Sequence, residues 1–200
     1  MIYYVVNEKY RCGRNLKNFN NFIGLPLSIF QFDDSLEVVV LEMGMSDFGE
    51  IDRLASIVKP HIGVITNIGV AHMESLGSRE GIFQAKMEIA KHIAGDDELP
   101  GTLIYASDSE FLTKEKTKGN YDQISIGEKG KDDYIISSVD DFGMDGIKFT
   151  LEHAQKVRQI SLPLPGRHNA INSALAVAVG DLLGISPEEE TDGLAAADLT

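Results

Sequence analysis

Three side chains in the first half of the chain have the types and the spacing to do chemistry together: the carboxylate of Glu42, the imidazole of His72 and the amine of Lys86. Glu42 sits in the apolar run VVVLEM, and His72 follows the run IGVITNIGVA. Ligands of a parallel sheet bind beyond the carboxyl ends of its strands, so residues at the ends of two such runs converge on one edge. A carboxylate and an imidazole there suit a divalent cation, with carboxylate oxygen favoured for magnesium. Lys86 belongs to the stripe Ile82, Lys86, Ile89, Ile93, one face of a helix. An amine on that face snorkels outward, pairs with an acid or sheds its charge. A neutral amine is a nucleophile. With carbon dioxide it gives a carbamate, which turns a cation into an anion able to hold a metal.

Each of these residues also has a plainer explanation. Glu42 fits a strand-end carboxylate capping the next helix. His72 fits a loop histidine bonded to backbone, and Lys86 a snorkelling surface side chain. Asn67 lies at the same edge as His72 and joins the candidates for holding a cofactor. Asn169 and Asn172, three apart in the first turn of a helix, share one side of it. An amide offers one acceptor and two donors, a match for the edge of an adenine ring; Asn169 is equally explained as a helix-terminus residue. Asn20 and Asn21 precede IGLP and are candidates for the nucleotide site or for a turn.

The elements that must position these residues follow from hydrophobic periodicity. Residues 1–6 (MIYYVV) favour a strand, since Ile, Tyr and Val favour extended backbone. Residues 7–24 are polar and Gly-punctuated and read as loop, and Pro26 opens a short helix. Val38 to Met43 is a continuous apolar run, the mark of a strand buried on both faces. A helix follows from Asp47 to Val58 and a strand from Ile62 to Thr66. Ser78 caps the helix that carries Lys86. Strands follow at 102–106 and 121–126. Alternation of strand and helix with short links predicts an α/β fold with a mostly parallel, doubly wound sheet. Residues 131–162 change character: three short alternating segments predict a small antiparallel patch laid on the main sheet. A helix from His168 to Leu183 then stops at Gly184. Ser186-Pro187 opens a last one, with Glu188, Glu189 and Glu190 at its positive end. The closing DLT supplies no finishing element.

Composition narrows the function classes. Net charge is −13 with 43% hydrophobic residues, which sets aside duplex nucleic acid and anionic membranes as main partners, because both need a cationic surface. The single cysteine, Cys12, forms no internal disulfide. With no charged-then-apolar leader and no run long enough to span a bilayer, a cytoplasmic location is expected. GxxxxGK followed by Ser or Thr, the loop that cradles phosphates, does not occur; Gly127–Lys131 (GEKGK) lacks both its spacing and its hydroxyl.

The stretches NNFIGLPL (20–27), VVVLEMGMSDFGEI (38–51), KPHIGVITNIGVAHMESLGS (59–78), QAKMEI (84–89) and LPLPGRHNAINSALA (162–176) together resemble the central ATP-binding domain of the Mur ligases. The first two point to the branch that adds D-alanyl-D-alanine to UDP-N-acetylmuramoyl-tripeptide in peptidoglycan synthesis. The resemblance implies amide formation by way of an acyl phosphate, with ATP and Mg2+ as cofactors. It implies that Glu42 and His72 serve the metal site and that Lys86 is carbamylated to orient the metal. It places Asn169 and Asn172 near adenine, and Asn21 and Asn20 near the nucleotide base. Family members carry the phosphate-binding strand, loop and helix just before the stretch corresponding to Met1, a uridine-nucleotide-gripping domain before that, and a further domain after the stretch ending here. The resemblance therefore implies that residues 1–200 are an incomplete central domain. A partner chain supplying the phosphate loop and the last domain is the enzymatic expectation. The rivals are an inactive remnant or weak nucleotide-binding module, and another Mur ligase or a folylpolyglutamate synthase-like enzyme.

Overall fold

A computed structural model describes residues 1–16 and 18–197. Lys17 and the closing 198–200, where the sequence suggested no finishing element, lie outside the described residues. The main sheet has six strands in chain order: β3 (Ile62–Ile65), β4 (Thr102–Ala106), β5 (Asp122–Gly127), β6 (Tyr134–Asp141), β7 (Ile147–His153) and β8 (Lys156–Leu162). Neighbours from β3 to β6 run parallel, and β6–β7–β8 antiparallel. A separate two-stranded parallel ribbon pairs β1 (Cys12–Arg14) with β2 (Val38–Val40).

β4 shows why the sheet must be covered on both faces. All five of its residues are buried. Ile104 enters one core with α1 (Ile2–Asn7), α6 (His168–Leu182) and α7 (Pro187–Ala195), while Leu103 and Tyr105 enter a second core with α5 (Arg79–Met87). Alternate side chains of a strand point to opposite faces, so a wholly apolar strand demands two layers of cover. The remaining helices are α2 (Gly24–Phe30), α3 (Glu50–Val58), the single turn α4 (Met73–Leu76) and a 3₁₀ turn at Glu88–His92 that continues α5. Ser78 caps α5 by accepting from the Gly81 N–H at 3.0 Å. Ser186 and Glu189 close a reciprocal capping box on α7.

Four expectations change. Residues 1–6 are helical, not a strand. Val5 and Val6 are fully buried there, and a Cβ on Gly193 of α7 would fall 2.6 Å from the Val5 Cα. Close helix packing overrides the β preference of Ile, Tyr and Val. Within residues 7–24, read as loop, Cys12–Arg14 forms β1 because β2 offers it an edge. The run 38–43 is a strand only to Val40 and is half-buried, with Val39 43% exposed; it is paired on one side alone. The antiparallel segment is not laid on the sheet but extends it edge to edge: β6 pairs with β5 through Ile126↔Tyr134 and Gly127↔Ile135 and then turns back. Its second hairpin turns at Ala154 and Gln155, both at positive φ (48° and 65°). That is the twist a two-residue turn needs, made here without the usual Asn-Gly signal.

Candidate functional site

β2 and β3, which belong to different sheets, are joined in the chain through α3. Between them runs a cleft of about 910 Å³. Its walls include Glu42 past the end of β2, Thr66 past the end of β3, and Lys86 from α5, with Met45, Ile51 and Ile89. The arrangement is the one expected of ligand sites in parallel sheets.

Glu42 is held from three directions. Asn15 brackets its backbone, donating from Nδ2 to the Glu42 carbonyl and accepting the Glu42 N–H at Oδ1, each at 3.0 Å. This pair of bonds mimics a strand ladder one step beyond the β1–β2 pairing. Asn20 Nδ2 then donates to Glu42 Oε1 at 2.8 Å. The Gly44 N–H donates to the Asn20 carbonyl at 2.8 Å, and a Cβ on Gly44 would lie 2.9 Å from the Asn20 amide, so only glycine admits that approach. Glu42 is exposed, and among the described residues Asn20 bonds only its Oε1. It does not cap the next helix. That work falls to Glu88, whose buried carboxylate accepts from the Gly49 N–H at 2.8 Å and the Asp52 N–H at 3.1 Å.

Lys86 turns its amine toward the end of β3 and donates to the Asn67 carbonyl at 2.7 Å, with Asn67 Oδ1 at 3.4 Å. Burial holds its pKa below the ordinary lysine value, because desolvation disfavours the charged form. Lys86 and Asn67 are thus in contact, and Lys86 shares the cleft with Glu42. His72 is not among the residues lining the cleft. It is exposed and sits at φ 65° before α4. Its ring is not tied to backbone. Among the described residues no three His, Cys, Asp or Glu side chains form a metal cluster.

The remaining asparagines have local partners. Asn21 Oδ1 accepts from the Ile23 and Gly24 N–H groups at 3.0 and 2.8 Å and starts α2. Asn169 is buried, donates to the Pro165 carbonyl at 2.8 Å and accepts from Asn172 at 3.2 Å. Neither Asn169 nor Asn172 lines the cleft. Two residues escaped the sequence reading. Asn15 carried no signal beyond an Asn-rich loop. Glu88 was visible in principle as an acid beside the apolar stripe of Lys86 and Ile89.

The donor set offers one carboxylate oxygen toward the cleft, one half-desolvated amine and the amide of Asn67. Magnesium needs only one or two carboxylates when waters and ligand phosphates complete its shell, so Glu42 fits that ion. Lys86 as an amine does not fit; as a carbamate it would.

The fold has counterparts among known proteins. Residues 1–180 match the family described as Mur ligase middle domain. The UDP-N-acetylmuramoyl-tripeptide--D-alanyl-D-alanine ligase of Bacillus subtilis is 38% identical over 203 residues, covering 100% of this chain and 42% of that protein. A crystal structure of MurF from Acinetobacter baumannii superposes with a TM-score of 0.90 at 30% identity, over 100% of this chain and 43% of that one. The MurF ligase of Thermotoga maritima, solved in complex with ADP, superposes at 0.84 with 27% identity, over 100% and 45%. The chain therefore spans less than half the length of these three relatives. No helix among the described residues is long and apolar enough to cross a membrane.

Proposed function

This chain belongs to the Mur ligase family, and from that premise we propose that it is the incomplete ATP-binding middle domain of a ligase joining D-alanyl-D-alanine to UDP-N-acetylmuramoyl-tripeptide. The observation that carries this reading is the meeting of Glu42 and a desolvated Lys86 on one cleft at the carboxyl ends of β2 and β3. Magnesium, when bound, offsets the charge of transferring phosphoryl groups. The relative solved with ADP makes an adenine nucleotide the natural ligand to test.

The chain's own residues have definite parts. Asn20 holds one Glu42 oxygen and leaves the other for a cation. Lys86, with its pKa lowered by burial, gives up a proton more readily; its nitrogen then attacks the carbon of CO2. An N–C bond forms, one C=O pair moves onto oxygen, and the proton leaves to water. The Asn67 carbonyl fixes the nitrogen while this happens. His72 stays exposed beyond β3 as a second metal-site residue. Asn21 and Asn169 act by fixing the starts of α2 and α6, and Asn172 by its bond to Asn169, each beside segments assigned to the nucleotide. Turnover draws on the remaining ligase length, outside residues 1–200; residues 131–162 serve as an antiparallel subregion of this domain. The cytoplasm, where ATP is available, is the matching compartment. A second reading is nucleotide binding at the cleft of Glu42 and Lys86 without turnover.

Calorimetry of this chain with Mg-ATP tests the shared step. The expected result is magnesium-dependent heat that Glu42→Gln diminishes. No heat at millimolar ATP overturns both readings. Carbon-13 bicarbonate NMR at mildly alkaline pH tests Lys86 separately: a carbamate signal is expected, absent in Lys86→Arg. No signal in the unmodified chain would leave Lys86 an ordinary amine.

A further inference from the structure

α5 grips the segment that follows β3 at two points. In its last turn, Lys86 Nζ donates to the Asn67 carbonyl at 2.7 Å. In its first turn, Arg79 Nη2 donates to the Ile68 carbonyl at 3.1 Å. The two basic residues lie seven positions apart, close to two helical turns, so they share one face with about 10 Å between them along the axis. They hold consecutive carbonyls of one loop, and that loop leads to His72.

Nothing local recommends an arginine at the start of α5. A cation in the first turn opposes the helix dipole. Arg79 Nε is buried with no hydrogen-bond partner among the described residues, which is costly for a donor. Its Cζ lies 5.3 Å from the centre of the Phe111 ring. The Glu110 carboxylate is 4.0 Å away, an exposed pair of little weight. The bond to Ile68 is its closest polar contact among the described residues.

The loop has need of that bond. Ile68 places its side chain in the second core, but the peptide after it leads into Gly69, whose backbone is the most permissive of all. A Cβ built on Gly69 would meet only Asn67 Oδ1, at 4.0 Å, so the space around it is open.

We propose that Arg79 is a positioning residue for the cleft: it keeps Asn67 to His72 seated on α5 when Lys86 releases the loop. The release is chemical, and that half of the proposal rests on the functional reading above. As the neutral amine forms its N–C bond to CO2, one proton leaves to water, a single N–H remains, and an anionic carboxylate group arrives beside the two Asn67 oxygens that the amine had faced. A guanidinium stays charged throughout, so the grip on Ile68 survives that step.

Nitrogen-15 relaxation of the whole chain tests this. Arg79→Met and Lys86→Met each remove one grip, and the double variant removes both. In CO2-free buffer, order parameters over 67–72 are expected to stay at about 0.85 in the parent chain and in each single variant, and to fall below about 0.6 in the double variant. β4 should remain ordered in all of them. Low values already in the parent chain, or high ones in the double variant, overturn the clasp. Should the double variant unfold, a second arm decides alone. On adding bicarbonate, 67–72 is expected to loosen in Arg79→Met but not in the parent chain or in Arg79→Lys, which keeps a donor. An arginine with a merely structural part would not make the loop respond to bicarbonate. A carbamate signal in Arg79→Met without loosening refutes the clasp and leaves the functional reading standing. Loosening in the double variant, with no carbamate signal in the parent chain, refutes the reading for Lys86 and keeps the clasp.

Discussion

The two ends of this strand array are built from similar residues and end up in opposite conditions. In β7, Ile147, Phe149 and Leu151 are all 1% exposed or less. In β2, three consecutive valines remain half-buried, and the middle one is 43% exposed. β7 has a hydrogen-bonded neighbour on each side and α6 across its face. β2 has one neighbour and a cleft. Burial is therefore set by what stands next to a strand, not by its own hydrophobicity.

The closed end is also locked electrostatically. Arg158 of β8 donates to both oxygens of Asp181 on α6, at 2.6 and 2.8 Å, and to Glu190 on α7 at 2.6 Å. Tyr134 of β6 donates to Asp181 at 2.8 Å and stacks on His153 of β7. One guanidinium thus serves two carboxylates. Glu190, 1% exposed and with Oε1 unpartnered, is pushed up to about 8 by burial and by the charge of Asp181, against the pull of Arg158.

The contrast can be broken most severely at that lock. Arg158→Ala leaves the Asp181 carboxylate and the Glu190 carboxyl without their shared partner in a covered region, and a loss of about 3 kcal/mol is expected in urea unfolding. A loss below about 1 kcal/mol would make the closed end no better tied than the open one. A smaller effect comes from pH. The folded chain keeps the Glu190 proton up to about pH 8, whereas unfolded it is held only below the ordinary 4.5. Stability from this group is present below about 4.5 and is lost as pH rises through about 8. Urea midpoints should fall between pH 5 and 9, and Glu190→Gln should flatten that slope; parallel slopes would place the titration elsewhere.

Nearer the cleft, Glu88→Ala removes the carboxylate that serves the start of α3 and should cost about 1–2 kcal/mol. The expected companion is faster amide exchange at Gly49 and Asp52; unchanged exchange there would deny Glu88 its capping part. The mildest change is Asn15→Ala. It loses two exposed bonds to Glu42 and should cost about 0.5–1 kcal/mol of stability, while weakening the Mg-ATP heat more than Ser186→Ala does at the cap of α7. Equal effects on binding would detach Asn15 from the site.

Much of this arrangement was legible in the residues. The strands at 62–66, 102–106 and 121–126 and the helix after Arg167 have local periodicities that agree with their tertiary use. The helix at Ile2–Asn7 was not legible: its β-favouring residues are held helical by contact with an α7 glycine 188 positions away in the chain (Val5 to Gly193). For the site, the reading found Glu42 and Lys86 because a charge at the end of or inside an apolar run stands out. It passed over Asn15 and Glu88, whose parts consist of backbone groups they meet across 27 and 39 residues.

The order of residues by itself determined which segments could be strand or helix, where the helices start, and which charges interrupt apolar faces, since all of these depend on neighbours within a few positions. Only the tertiary structure decided that 38–43 lies open on one edge, that the antiparallel strands continue the sheet, and that Glu42 and Lys86 line a cleft whose wall leaves out His72. Those outcomes depend on which edge meets which, a matter of long-range packing that local propensity does not encode.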